Sequence, residues 1–232
     1  MQLARIWRYP VKSLAGEELE QATILPDGIA GDRIVRVVGP TGRRITARQF
    51  PALLGLHGTL DGDGEPLIDG VPWTEPAALA AVRAASSPDV ELIRDESRIR
   101  FDVLPISLAT DGAVDTLGID VRRLRPNVLI GGVDGLAERD WRGRAIRIGG
   151  ATVGVLQVRG RCVMTTYDPD SQEQDIGVLR TIANEYEGRF ALDCYVVEPG
   201  EISIGDEVEL LGYWTLDRQS ARAQLGAARP AI

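Results

Sequence analysis

The segment richest in chemistry is Arg159-Gly160-Arg161-Cys162-Val163-Met164-Thr165-Thr166-Tyr167-Asp168-Pro169-Asp170. Arginines one and three residues before a cysteine put positive charge beside it. Positive potential favours thiolate, the form that ligates metals and attacks electrophiles. Gly160 lets backbone approach a ligand closely, and Asp168-Pro169-Asp170 is a turn signal. On spacing alone the plainer reading of Cys162 is a small buried residue at a strand start, the common fate of a free cysteine.

Other segments offer charge or hydrogen-bonding edges. In Arg122-Arg123-Leu124-Arg125-Pro126-Asn127, Arg125 could grip a phosphate or a polar heterocycle and Asn127 could read a ring edge. A surface loop ended by proline reads equally well there. Gly31-Asp32-Arg33 and Thr46-Ala47-Arg48-Gln49 each set an arginine beside a strand end, where a solvated charge is the default. Of the 26 basic residues only Lys12, in Tyr9-Pro10-Val11-Lys12-Ser13, is lysine. A compact ammonium suits an anionic ligand oxygen.

Counts exclude several chemistries. The single histidine, His57, lies in Leu54-Gly55-Leu56-His57-Gly58, which reads as a short strand, and it is expected to be structural or at the surface. A Ser-His-Asp triad would depend on it. There are two cysteines and no C-x-x-C, so no conventional zinc ribbon or ferredoxin-type cluster fits. The G-x-G-x-x-G and G-x-x-x-x-G-K-[ST] fingerprints are absent. Cys194 sits at an inward position of an alternating strand with Leu192 and Val196 and reads as core. A bond between the two cysteines is not expected in a cytoplasmic chain.

These residues need a scaffold, and 232 residues suffice for one large domain or two small interleaved ones. With 44% hydrophobic and 26% charged residues the chain is an ordinary globular one. The net charge of -8 argues against a nucleic-acid binder, which needs a basic face. No apolar run of about 18 residues occurs, and residues 1–7 lack a signal-peptide block, so a cytoplasmic location is expected. The first 95 residues read as β-rich. Strands are expected at 3–8, 22–25, 33–39, 43–47, 53–60, 66–68 and 90–94, with 33–39 and 43–47 forming a hairpin. One helix is expected at 76–85. The second half mixes strands at 128–130, 145–148, 152–158, 192–197 and 208–211 with an extended stretch at 162–167. A helix at 111–117 is capped by Thr110. Another at 176–187 is capped by Asp175 and carries Ile176, Leu179, Ile182, Ala183 and Tyr186 on one face. The tail from about Asp217 reads as frayed or weakly helical. Many short strands favour a closed or partly closed barrel.

Five of these blocks, in this order, resemble a known family: Tyr9-Pro10-Val11-Lys12-Ser13, Gly31-Asp32-Arg33, Thr46-Ala47-Arg48-Gln49, Arg125-Pro126-Asn127 and the Arg161–Asp170 segment. They are similar to the MOSC proteins (the molybdenum cofactor sulfurase C-terminal domain with its β-barrel N-terminal partner), in the branch containing the mitochondrial amidoxime-reducing component. The resemblance implies a β-rich α+β fold. A MOSC N-terminal β-barrel-like domain would span 1–95, a MOSC barrel with a few peripheral helices 96–212, and a tail 213–232. It implies a molybdenum cofactor, a molybdopterin, rather than pyridoxal phosphate. Cys162, in R-C-x-x-T-T-x-D-P, would ligate the metal and be catalytic, which reverses the plainer reading above. Lys12, Ser13 and Arg33 would bind the cofactor phosphate. Arg125, Asn127 and Arg161 would contact the pterin, and Arg48 would brace the site. Ser107 lies in a corresponding region without a residue-level match.

The implied activity is reduction of N-hydroxylated or other N-oxygenated compounds. The alternative is a cofactor carrier or sulfur-transfer protein without turnover. The family pattern D-P-x-T-G is here Asp168-Pro169-Asp170-Ser171-Gln172, so residues 171–177 form a different loop beside the expected substrate entrance. With no anchor and no fused ferredoxin domain expected, electrons would come from a separate ferredoxin-like or cytochrome b5-like partner. The other partner would be a small-molecule substrate; neither nucleic acid nor membrane is expected.

Overall fold

A computed structural model describes residues 1–97 and 100–213. The first half holds β1 (Gln2–Arg8), β2 (Glu17–Leu19), β3 (Gln21–Leu25), β4 (Gly28–Ile29), β5 (Val35–Val38), β6 (Gly58–Leu60), β7 (Pro66–Ile68), β8 (Val71–Pro72), helix α1 (Pro76–Ala84) and β9 (Glu91–Arg94). The second holds β10 (Ile106–Thr110), α2 (Asp111–Leu117), β11 (Val128–Gly131), β12 (Arg144–Ile148), β13 (Ala151–Gly160), α3 (Ile176–Glu185), β14 (Arg189–Glu198), β15 (Gly200–Ser203) and β16 (Val208–Tyr213). The fold is β-rich α+β, as the resemblance implies.

Eight strands form one sheet in the order β16-β12-β13-β14-β10-β11-β1-β2, antiparallel except for β10 against β11. Its ends meet. Leu3 N–H donates to Asp206 O at 2.9 Å and Val208 N–H to Met1 O at 3.0 Å, so the sheet closes on itself. The first strand is therefore built into the sheet of the second half. One face of the sheet buries Ile6, Ile106, Ile130, Ile146, Val153, Cys194 and Val196. The other packs under α2 and α3 with Trp7, Tyr9, Ile182 and Phe190. A separate core of Val11, Leu14, Val35, Leu53, Ile68 and Val82 serves the first half. Among the described residues no helix is long and apolar enough to cross a membrane.

Local chemistry explains the boundaries. Thr110 accepts from Ala113 N–H at 3.4 Å and starts α2, and Gly118 ends it at φ 66°. Asp175 accepts from Gly177 N–H at 2.8 Å and starts α3. The Gly149-Gly150 turn joins β12 to β13 as the sequence predicts. A Cβ on Gly154 would lie 2.1 Å from the Tyr195 ring, so only glycine lets that ring cross β13.

Five expectations need correction. Residues 51–55 form a 3-10 turn led by Pro51, and only Gly58–Leu60 of the expected 53–60 strand is extended; His57 lies just before it. The 33–39 and 43–47 hairpin is reduced to one bridge, Val38 to Arg44, because β5 takes β9 as its ladder partner. The stretch 162–167 is not extended: Val163–Thr166 is a 3-10 turn. There the Thr165 and Thr166 hydroxyls donate back to Cys162 O and Val163 O, competing with extended backbone. On α3 the buried positions are Val178 and Ile182, while Ile176 and Ala183 face out. Finally, Asp193 and Tyr195 on β14 are as buried as the apolar residues they alternate with, because both faces of that strand are covered. The expected tail lies outside the described residues beyond residue 213.

Candidate functional site

Loops from both halves meet over one end of the large sheet and enclose an open cleft of about 910 Å³. Lys12, Ser13, Arg33, Arg48, Arg125, Asn127, Arg161 and Cys162, the residues singled out from the sequence, all line it. They come from the segment after β1, the approach to β5, the loop at 46–48, the approach to β11 and the end of β13. Ser13, Arg33 and Arg125 adopt left-handed backbone at φ 77°, 56° and 50°. Such backbone costs a non-glycine residue about 1 kcal/mol or more.

At one end Lys12 is buried. Its Nζ donates to Arg100 O at 2.6 Å and to Asp102 Oδ1 at 2.8 Å. Burial pulls the ammonium down to about 8, against the attraction of Asp102. Asp102 also accepts from Arg48 Nη2 at 2.8 Å and lies 3.6 Å from Arg44. Although burial works against it, Lys12 and Arg48 hold Asp102 well below the usual carboxylate range. Arg48 lines the cleft together with Cys162. Despite the pull of burial, Asp102 and Cys162 keep its guanidinium above its ordinary value. Cys162 is partly exposed at the cleft wall.

The back wall is aromatic and cationic. The Arg33 and Arg125 guanidinium groups lie 4.9 and 4.3 Å from the Tyr9 ring centre. Fully buried Asp32 pairs with Arg33 and accepts from Tyr9 N–H at 2.8 Å. Arg125 Nη2 donates to Leu14 O at 2.6 Å, and Arg161 Nη2 to Leu124 O at 2.5 Å. Burial pushes Arg125 down to about 10 and Arg161 to about 9. Arg161 Nε and Ser107 Oγ, both on residues lining the cleft, are buried without a hydrogen-bond partner.

Asn127 plays a different part from the one its sequence position suggests. Its Nδ2 donates to Trp7 O at 3.4 Å and Asp32 Oδ2 at 3.2 Å, and its Oδ1 accepts from Ser107 N–H at 3.1 Å. The amide is spent tying β1, β10 and β11 together behind the cleft. Sequence reasoning left out Asp102, Arg123 and Arg159, which also line it. Arg159 had a signal in its spacing from Cys162. Asp102 had none, since its partners lie 54 and 90 residues away. His57 is exposed, 3.7 Å from Asp69, and Cys194 is sealed in the core.

A second, smaller pocket of about 570 Å³ shares Arg123, Arg125 and Met164 with the cleft. The 168–174 loop edges it. Arg123 holds Asp168 at 3.0 Å, and Arg122 holds Asp170 through two bonds of 2.7 and 2.8 Å.

The donor set defines what fits. Seven cationic side chains line the cleft with one carboxylate, so the natural occupant is an anion. Among the described residues no cluster of three or more His, Cys, Asp or Glu could cage a metal. A metal here would have to bring its own ligands and take one soft sulfur from Cys162. An anionic organic group chelating a thiophilic metal meets both conditions, and the partnerless Arg161 Nε and Ser107 Oγ supply spare hydrogen-bonding capacity for it.

Comparison with known proteins places the chain in a family. The MOSC domain family model matches residues 84–209, and that of the MOSC N-terminal beta barrel domain matches residues 1–101. The chain is 25% identical to mitochondrial amidoxime-reducing component 1 of Homo sapiens over 281 aligned residues, covering 90% of this chain and 83% of that protein. It is 23% identical to the Mus musculus protein of the same name, covering 90% and 82%. Among solved structures, the YuaD protein from Bacillus subtilis aligns at 13% identity and a TM-score of 0.48, over 92% of this chain and 96% of that one.

Proposed function

The chain belongs to the MOSC family, which is associated with the molybdenum cofactor, and from that membership we propose that it is a molybdenum-dependent oxidoreductase reducing N-hydroxylated or other N-oxygenated compounds. The observation that carries the reading is the cleft's surplus of desolvated cations around a single accessible cysteine. Relatives named as amidoxime-reducing components supply the substrate class.

In this reading Lys12, Ser13 and Arg33 hold the cofactor phosphate, for which ammonium, hydroxyl and guanidinium groups are suitable donors. Arg161 and Arg125 face the pterin. Asn127 acts from behind, fixing the strand ends that carry them. Cys162 is the protein's sulfur ligand to molybdenum, and Arg48, held by Asp102, braces the site. When bound, the cofactor supplies two-electron redox chemistry that the side chains lack. The overall reaction breaks an N–O bond: the N-hydroxyl compound takes two electrons and two protons and leaves as the N–H compound and water. The electrons come from a separate ferredoxin-like or cytochrome b5-like donor and the protons from solvent.

The test is elemental analysis and pterin extraction on protein expressed with molybdate, followed by reduction of benzamidoxime with reduced viologen. About one molybdenum per chain is expected with measurable turnover, and both should be lost in Cys162→Ala. Stoichiometric cofactor without turnover on a panel of N-oxygenated compounds would favour a carrier or sulfur-transfer role. Absence of both molybdenum and pterin would refute the reading.

A further inference from the structure

Arg159 and Asp193 form a pair that the cofactor roles above leave unused. Asp193 sits in the middle of β14, opposite Ser107 on one side and Gln157 on the other, and is fully buried. It accepts from Gln157 Nε2 at 3.2 Å and pairs with Arg159 Nη1. The arginine side chain is 19% exposed and the carboxylate 0%, so the pair runs from the sheet interior outward to the cleft that Arg159 lines. Strand β13 shifts register between Val155 and Gln157 and between Val158 and Gly160, and such bulges re-aim side chains. A buried carboxylate in a central strand costs several kcal/mol of desolvation. In return it fixes one planar guanidinium, with most of its five N–H donors free of Asp193, three residues from Cys162.

The charge count gives this arginine its use. Carboxylates stand behind Arg33, Arg123 and Arg159. With Asp102 they still leave the cleft three positive charges in excess. A phosphate ester would take up about two. Arg159 lies on the same wall as Gly160, Arg161 and Cys162, and its carboxylate partner stands behind it rather than in the cleft. The excess positive charge opposes a cationic substrate and draws in an anionic one.

Building on the reductase reading, we infer that the substrate carries an anionic group, such as a carboxylate, and that Arg159, positioned by Asp193, receives it beside Cys162. The chemistry is unchanged. The N–O bond breaks, two electrons arrive from the donor and two protons from water, and the amidine and water leave. The carboxylate takes no part in the bond changes and serves only to place the N–OH group.

The experiment compares benzamidoxime with its para-carboxylate on cofactor-loaded protein, with reduced viologen as donor. The carboxylate should show about tenfold higher kcat/KM, chiefly through KM, and the preference should shrink as salt rises. In Arg159→Gln that preference should fall about tenfold, while Arg159→Lys should keep part of it. Because Arg159→Gln strands the Asp193 charge, the double change Arg159→Gln with Asp193→Asn provides a version without a buried unpaired carboxylate, and it should lose the preference as well. A second readout is calorimetric binding of para-carboxybenzamidine against benzamidine, with the carboxylate tighter only when position 159 is cationic. Equal kcat/KM for the two substrates, or a preference intact in every Arg159 variant, overturns the inference while leaving the reductase intact. Arg159-dependent binding of the carboxylate with neither compound reduced supports the anion site and overturns the reductase.

Discussion

Two cysteines 32 positions apart show how little a residue type says without its surroundings. Cys194 lies on β14 opposite Val155 and Ile106, fully buried in hydrocarbon, and burial lifts its thiol well above the usual range. Cys162 lies just past the end of β13, the neighbouring strand, on the wall of a cleft lined by seven cations. The strands that seal one sulfur are the strands that deliver the other to solvent. The sheet interior can be built from any apolar residues of suitable volume, whereas the cleft depends on particular charges arriving from distant segments.

The contrast is sharpened most by removing each sulfur in turn. Cys162→Ala should lower molybdenum content at least about a hundredfold, the upper range for loss of a metal-site residue. Its melting temperature should stay close to that of the parent, because a partly exposed side chain carries little packing. Metal retained in that variant would break the assignment. Cys194→Ser should do the reverse. A hydroxyl without a partner in that core costs about 1–3 kcal/mol, read as a lower melting temperature. Molybdenum per folded chain should not change. Loss of metal at full stability in Cys194→Ser would dissolve the distinction between the two regions.

Lys12 tests the cleft by pH. Burial lowers it from the ordinary 10.5 to about 8, so it is charged below that pH and neutral above it. Affinity of cofactor-free protein for sulfate, whose charge is constant over this range, should therefore fall as pH rises from 7 to 9, by up to about tenfold for one charge, measured calorimetrically. Lys12→Arg should flatten the profile, since a guanidinium stays protonated. Stability carries the opposite sign. Between pH 8 and 10.5 the folded chain holds fewer protons at this site than the unfolded chain, so the lysine's contribution to stability rises with pH there. A binding curve that rises over the same window would remove Lys12 from the anion site.

The sheet interior was the more legible region. Short apolar runs and turn signals located β1, β12, β13 and β16, alternation located β14, and capping residues located α2 and α3, because those signals are local. The misreadings lie where a local signal had a tertiary competitor. β5 took β9 rather than the nearer 43–47 segment. The threonines after Cys162 folded back on their own carbonyls. Asp193 sat on a face that alternation marks as outward. In the cleft the cations were visible singly, but only their order along the chain, matched to a family, suggested that they meet. Asp102 and the committed amide of Asn127 were illegible, since each role is set by partners tens of residues away.

The smallest effect belongs to the exposed rim. Arg122 grips Asp170 with two short bonds and Asp120 with three more, which looks like a strong latch on the 168–174 loop. Yet the Asp170 side chain is 71% exposed and that of Arg122 38%, so solvent screens the pair and side-chain ordering offsets much of the attraction. Arg122→Ala should therefore cost no more than about 1 kcal/mol in thermal unfolding, and less at high salt. Limited proteolysis in the loop should quicken while cofactor content holds. A drop in stability several times larger would mean that the loop supports the second pocket and its shared wall of Arg123, Arg125 and Met164, and that rim and cleft act as one unit.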